Sequence, residues 1–178
     1  MTFFGPLSRS VALVGLLVCG SALARPAIAA PADVALIKSY LGDWRGRGTI
    51  TGDNSETVIC RLALTEGNSD KVNYNGRCAI AGNNLTISGT IAYIDDKRRF
   101  EAVMSSNAMF NGLAVGQKRN GGVVFNLRQR DREEGVDGRD VTITAQIVLD
   151  NSDIQVQFQV VYDESGQSVE AQVPFTKQ

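Results

Sequence analysis

Apolar and polar residues alternate one by one through most of the chain after Trp44. Apolar residues occupy every second position over 58–64, and the same pattern returns over 141–149 and 154–162. This period of two places apolar side chains on one face of a strand and polar side chains on the other. Antiparallel sheets with one buried and one solvated face have this pattern. We therefore predict an all-β domain.

Turn-forming residues divide this region into about ten strands. They lie at 52–54, 66–69, 82–84, 95–97, 120–122, 150–152 and 164–166, with a weaker break at Asn107 and a charged loop over 131–140. Short, even spacing favours strands that each pair with the next. We predict an antiparallel up-and-down β-barrel of about eight to ten strands, with an open two-sheet sandwich as the alternative.

One short segment near the start has helical periodicity instead. Val34, Ile37 and Leu41 repeat on one face, and Asp33 is placed to cap the first turn. A helix over 33–41 with so narrow an apolar stripe needs a hydrophobic surface to cover. We expect this single N-terminal helix to close one end of the barrel.

Two cysteines agree with the register of one predicted hairpin. If strands 57–65 and 72–81 fold about Ser69, Cys60 lies opposite Cys78 and the apolar partners share one face. Directly opposed strand residues lie within disulfide range. We therefore predict a Cys60–Cys78 disulfide, with two buried free thiols as the alternative.

The first 29 residues have the features of a secretory signal peptide. Arg9 precedes an apolar run over 11–19, and A-x-A cleavage sequences lie at 22–24 and 27–29. The run is too short to span a bilayer. We predict cleavage of residues 1–29 and one exported domain over 30–178, located in the bacterial periplasm, where disulfides persist. A lipoprotein signal at Cys19 is the disfavoured alternative.

Composition excludes several classes of function. The formal net charge is −1, without the basic excess of nucleic-acid-binding proteins, and no second apolar run has membrane length. Histidine is absent, which removes Ser-His-Asp and Cys-His nucleophiles and imidazole metal sites. Most carboxylates fall in predicted turns. We therefore expect no enzyme, no metal, no cofactor, no nucleic-acid partner and no membrane span.

The run over 40–48, Y-L-G-D-W-R-G-R-G, joins the predicted helix to the first strand. It resembles the G-x-W entry of the calycin superfamily, which includes the lipocalins, and most closely the L-G-x-W-x-G-x-G opening of nitrobindin-like barrels. Gly42, Trp44, Gly46 and Gly48 match. The resemblance implies that the Trp closes one barrel end and that the glycines let the first strand bend. Nitrobindin-like barrels hold haem iron through histidine, so that role does not carry over.

The predicted inward face is rich in aromatic residues. Such a lining could enclose an apolar ligand, or the side chains could simply fill the interior. The residues of this candidate ligand site are Trp44, Tyr74, Tyr93, Phe100, Met104, Phe125, Phe158 and Tyr162.

Four arginines form a second candidate site on the outer face. Arg61 and Arg77 lie opposite each other in the predicted hairpin, and Arg45 and Arg47 lie on the neighbouring strand. Like charges directly opposite each other destabilise a hairpin, which favours an anionic or protein partner. An ordinary solvated face is the alternative.

These features together predict an exported, non-catalytic barrel that binds a small apolar or amphipathic ligand in its interior. A periplasmic protein-interaction module, such as a hydrolase inhibitor, is the alternative. Small exported barrels with a G-x-W entry and one disulfide also resemble bacterial inhibitors of metalloproteases and lysozymes.

Overall fold

The computed structural model describes residues 31–80, 82–107, 111–132, 140–150 and 152–178. The predicted signal segment 1–29 and most of the predicted charged loop lie outside these ranges. One helix and ten strands are present among the described residues: α1 (Pro31–Lys38), β1 (Gly42–Thr51), β2 (Ser55–Glu66), β3 (Val72–Ile80), β4 (Asn83–Ile94), β5 (Arg99–Ser106), β6 (Asn111–Arg119), β7 (Gly122–Arg132), β8 (Asp140–Asp150), β9 (Asp153–Tyr162) and β10 (Ser168–Lys177).

The ten strands form a closed antiparallel barrel. Each strand pairs with the next along the chain, and β10 returns to pair with β1, so that Gly46 faces Phe175. Closure leaves no unpaired strand edge, which an open sheet would expose. The predicted up-and-down barrel is confirmed, and the open sandwich is excluded.

The β2–β3 hairpin has the predicted register. Cys60 pairs with Cys78 and Leu64 with Tyr74. A disulfide joins the two cysteines, whose Cα atoms are 4.0 Å apart, and both cysteines are buried. Because both point inward, the disulfide crosses the inner surface of the wall.

Helix α1 begins and ends earlier than the predicted range 33–41. Pro31 is its first residue, a position where proline is favoured because the missing N–H has no helical partner. Asp33 therefore lies within the first turn rather than capping it. Its carboxylate is buried and forms an ion pair with Lys118 of β6, and the positive end of the helix dipole favours a carboxylate there.

The helix closes one end of the barrel, as predicted. Ile37 of the helix and Tyr40, which follows it, are buried against the barrel interior, and the Trp44 indole N–H donates to the Tyr40 carbonyl oxygen at 2.9 Å. On the outside, Lys38 Nζ lies 2.9 Å from carboxylate oxygens of both Glu66 and Asp70, around the β2–β3 turn. Packing and surface ion pairs thus fix α1 over this end.

Three inward glycines face aromatic rings on the neighbouring strand. In each pair, atoms of the ring or its hydroxyl occupy the space that a Cβ on the glycine would need. The pairs are Gly46 with Phe175, Gly89 with Tyr74, and Gly116 with Phe125. The glycines therefore let these large side chains pack against the barrel wall.

No helix in the described part of the chain combines the length and the apolar character needed to cross a bilayer.

Candidate functional site

An apolar cavity of about 80 Å³ lies inside the barrel. Its wall is built from inward positions of β2–β5 and β7–β10, and the outward-facing Arg61 of β2 also borders it. Tyr74, Met104, Phe125 and Phe175 contribute the larger side chains, and aliphatic residues contribute most of the remaining lining. The space suits an apolar group, because apolar contact is almost all that this surface offers.

The single hydroxyl near the cavity is already engaged. Tyr74 Oη donates a hydrogen bond to the Val103 carbonyl oxygen at 2.9 Å. Burial raises the pKa of this hydroxyl well above its ordinary value, because an apolar environment disfavours the phenolate. Tyr74 thus presents its ring, rather than a free polar group, to the cavity.

The structure brings three of the eight predicted ligand-site residues to the cavity: Tyr74, Met104 and Phe125. Trp44 is instead buried beside Tyr40 below the helix, with their ring centroids 6.3 Å apart. Trp44 points inward but does not reach the cavity, because inward residues of one strand lie at different heights along the barrel axis.

Two other predicted residues form an edge-to-face aromatic cluster with Phe125 next to the cavity. The Phe100 ring lies 5.0 Å from the Tyr93 ring and 6.3 Å from the Phe125 ring, measured between centroids. Phe100 is almost completely buried and Tyr93 partly so. These rings fill the interior, and only Phe125 reaches the cavity.

The last two predicted residues lie on β9, away from the cavity lining. Phe158 and Tyr162 are partly buried and pack against the core. Phe158 also borders an outer groove of about 690 Å³ whose rim carries Gln146, Gln157 and Gln172. The eight predicted residues therefore do not form one constellation.

Sequence reasoning gave too little weight to the aliphatic lining. Ile147 and Leu149 of β8 and Ile154 and Val156 of β9 face the cavity. The alternation of apolar and polar residues in the sequence predicts that these four side chains point inward. The predicted ligand site nevertheless included none of them.

Access to the interior differs between the two ends. At the helix end, Ile37 and Tyr40 are 1% and 3% exposed. Toward the other end, the inward-facing Leu85, Val160 and Tyr162 remain partly exposed. Hydrogen-bonded strands enclose the sides of the barrel.

The predicted arginines form a row on the outside of the barrel. Arg45 pairs with Arg61, and Arg61 pairs with Arg77, across β1, β2 and β3. All three are exposed and line a groove of about 540 Å³. Arg47 lies in the next row, opposite Ile59. Arg77 Nε donates to the Asn84 side-chain oxygen at 3.3 Å.

Within the described ranges, no group of three or more Cys, Asp or Glu side chains is placed to hold a metal ion.

No family model matches the chain. No curated protein is significantly similar to it either.

Solved structures resemble the barrel as a whole. One is the crystal structure of Rv2717c from M. tuberculosis, with a TM-score of 0.64 and 12% sequence identity, covering 84% of this chain and 98% of that one. Another is the S-type phycobiliprotein lyase CPES from Guillardia theta, with a TM-score of 0.51 and 10% identity, covering 86% of this chain and 98% of that one. At these identities the likeness concerns the fold alone, a closed antiparallel β-barrel.

The second likeness corrects one expectation. The prediction that the chain is not an enzyme is contradicted, because a barrel of similar fold is a lyase. The missing histidine excludes imidazole chemistry, but neither that absence nor the barrel excludes catalysis.

Proposed function

We propose that the barrel binds a small apolar molecule, or the apolar part of an amphipathic one, in its interior. The observation that carries this proposal is the apolar cavity bounded by Tyr74, Met104 and Phe125. An apolar void gains nothing from water, which needs two to four polar partners. A ligand that fills it restores the dispersion contacts that the lining side chains lack.

The volume of the cavity limits the size of the ligand. About 80 Å³ is roughly half of the ~150 Å³ in an apolar cavity known to bind benzene or xenon. A group of a few heavy atoms fits directly. A longer molecule requires side chains to move, and Met104 is suited to this because its side chain is unbranched and flexible.

A ligand series with two matched variants tests the proposal. Ala102 and Ala114 face each other across β5 and β6, and both are buried, but Ala102 lines the cavity. Val at position 102 adds two methyl groups to the cavity, whereas Val at 114 adds them elsewhere in the core. Xenon, benzene, indole and decanoate serve as probes in calorimetry and thermal-shift measurements.

We expect at least one probe to raise the melting temperature of the wild type and of Ala114→Val. Ala102→Val is expected to bind it several-fold more weakly. If all probes leave all three proteins unchanged, or if the two variants respond alike, the proposal is wrong.

We also infer that residues 30–178 are exported to the periplasm. The Cys60–Cys78 disulfide supports this, because such bonds persist in oxidising compartments. Expression of the full chain, osmotic-shock fractionation and intact-mass measurement provide the test. We expect the shock fraction to contain a protein that begins at Ala30. Uncleaved precursor confined to the cytoplasm would contradict export.

A further inference from the structure

We propose that the outer surface of β1–β3 is a docking site for an acidic segment of a partner protein. This surface, called the arginine face below, consists of two adjacent rows of outward residues. One row is Arg45, Arg61 and Arg77, and the other is Arg47, Ile59 and Ala79.

Positive charge is concentrated on this face. Neighbouring strands lie about 4.7–4.9 Å apart, so the backbone of the first row places three guanidinium-bearing residues within about 10 Å. Like charges directly opposite each other destabilise the pairing of the strands. The chain has a formal net charge of −1, so it contains enough acidic residues to neutralise these arginines. A ligand with several carboxylates would remove this repulsion.

The face does not neutralise itself. None of the ion pairs formed between described residues includes Arg45, Arg61 or Arg77. Asp43 borders the same groove but is not ion-paired with them. The guanidinium groups therefore remain available for the bidentate hydrogen bonds that arginine makes to carboxylates.

The second row favours a protein segment over a small anion or a phosphate polymer. Ile59 is 41% exposed and lies between Arg47 and Ala79. Exposed apolar side chains among arginines are typical of protein interfaces, where arginine is enriched. The groove of about 540 Å³ that borders the first row also exceeds what a single oxyanion fills. An acidic segment with an apolar side chain satisfies both rows.

The face is rigid before any partner arrives. The Cys60–Cys78 disulfide joins β2 to β3 directly beside Arg61 and Arg77. Asn84 accepts a hydrogen bond from Arg77. Docking onto a pre-ordered surface costs less conformational entropy, which favours recognition of a flexible acidic segment.

A peptide-binding experiment tests the proposal. The probe is a fluorescein-labelled peptide of alternating Glu and Leu, and the same peptide with Gln replacing Glu is the uncharged comparison. The test variant is Arg61→Glu/Arg77→Glu. The matched control is Arg119→Glu/Arg128→Glu, which makes the same change in charge at exposed positions of β6 and β7. Fluorescence anisotropy measures binding at low and high salt.

We expect wild type and control to bind the Glu peptide alike and to lose affinity as salt screens the charges. The test variant is expected to bind at least about tenfold more weakly, which is about 1.4 kcal/mol. Ile59→Ser is expected to weaken binding by a smaller factor. The Gln peptide is expected not to bind.

Two results would overturn the proposal. One is equal binding of the Glu peptide by wild type, control and test variant. The other is tighter binding of inorganic phosphate or duplex DNA than of the peptide, unaffected by Ile59→Ser, which would assign the face to phosphates. The neutral variant Arg61→Gln/Arg77→Gln, with circular dichroism of each protein, separates lost binding from lost folding.

Discussion

Glycine positions decide where the large side chains of this barrel can lie. A Cβ at Gly116 would come within 2.6 Å of Phe125 ring atoms and 3.0 Å of Phe100 Cβ. At Gly89 it would collide with the Val103 carbonyl oxygen and with the Tyr74 hydroxyl oxygen that is hydrogen-bonded to it. The aromatic rings therefore occupy space that the side chain of any other residue at these glycine positions would fill. This arrangement packs aromatic residues against the wall and leaves the apolar cavity next to them.

Gly116→Ala should destabilise the protein by about 1–3 kcal/mol, because an extra methyl group in a packed core forces neighbours out of place. Urea unfolding measures the loss. Adding Phe125→Leu should recover part of it, since the smaller side chain yields room to the methyl group. An unchanged unfolding free energy for Gly116→Ala would show that the ring moves freely.

Ionisation of Tyr74 makes the free energy of unfolding depend on pH in the alkaline range. Burial raises its pKa in the folded state, whereas in the unfolded chain the hydroxyl ionises near about pH 10. The unfolded state therefore loses this proton first, and the stabilisation is fully present below about pH 10 and is lost as pH rises beyond it. Tyr40 acts in the same direction, because burial and the nearby Asp150 and Asp153 raise its pKa.

Urea unfolding between about pH 8 and pH 11.5 tests this dependence. We expect the unfolding free energy of the wild type to fall more steeply above pH 10 than that of Tyr74→Phe. Tyr74→Phe should also cost about 1 kcal/mol at neutral pH through the lost hydrogen bond to Val103. Parallel pH profiles for the two proteins would contradict the assignment.

Among the elements, the β2–β3 hairpin was the most predictable. Alternation fixed its inward face, and Cys60 and Cys78 selected the same register as the apolar pairs. Helix α1 was recognised but placed too late, because Asp33 is a good cap by residue type. Proline at position 31 and the ion pair to Lys118 favour an earlier start, and that ion pair comes from a strand far away in sequence.

Removing the disulfide by Cys60→Ala/Cys78→Ala should lower the unfolding free energy by about 3 kcal/mol in the chain-entropy estimate, for cysteines separated by 18 residues. Neighbouring strand pairs also hold the hairpin together, so we expect the loss not to exceed this value. Urea unfolding measures it, and alkylation without reductant should detect no free thiol in the wild type. Two alkylated cysteines would contradict the bond.

At the scale of the whole molecule, the topology was more predictable from the sequence than the candidate site was. The even spacing of the turns was enough to predict about ten strands in an up-and-down order. The pairing of β10 with β1 is what closes such an array into a barrel. Alternation predicts on which face of the sheet a side chain lies, but not its height along the barrel axis. The heights of the aromatic rings could therefore not be predicted from it. Trp44 and Phe100 therefore share the inward face with Met104 without sharing its cavity.

The interior and the arginine face lie on the two sides of the same wall. Cys78 faces the cavity, while its neighbour Arg77 faces solvent. Arg61, Leu62 and Gly76 border both the cavity and the outer groove. Substitutions at Met104 and Arg77, each of which borders only one of the two, should therefore separate binding in the interior from binding on the outside.

A crystal structure of residues 30–178 under xenon pressure tests the interior site most directly. Xenon is apolar and scatters strongly, and it enters dry apolar cavities. We predict a xenon peak in the space bounded by Tyr74, Met104 and Phe125, with lower occupancy in Ala102→Val. A barrel interior without xenon, at a pressure that fills an apolar cavity in a reference protein, would contradict the account.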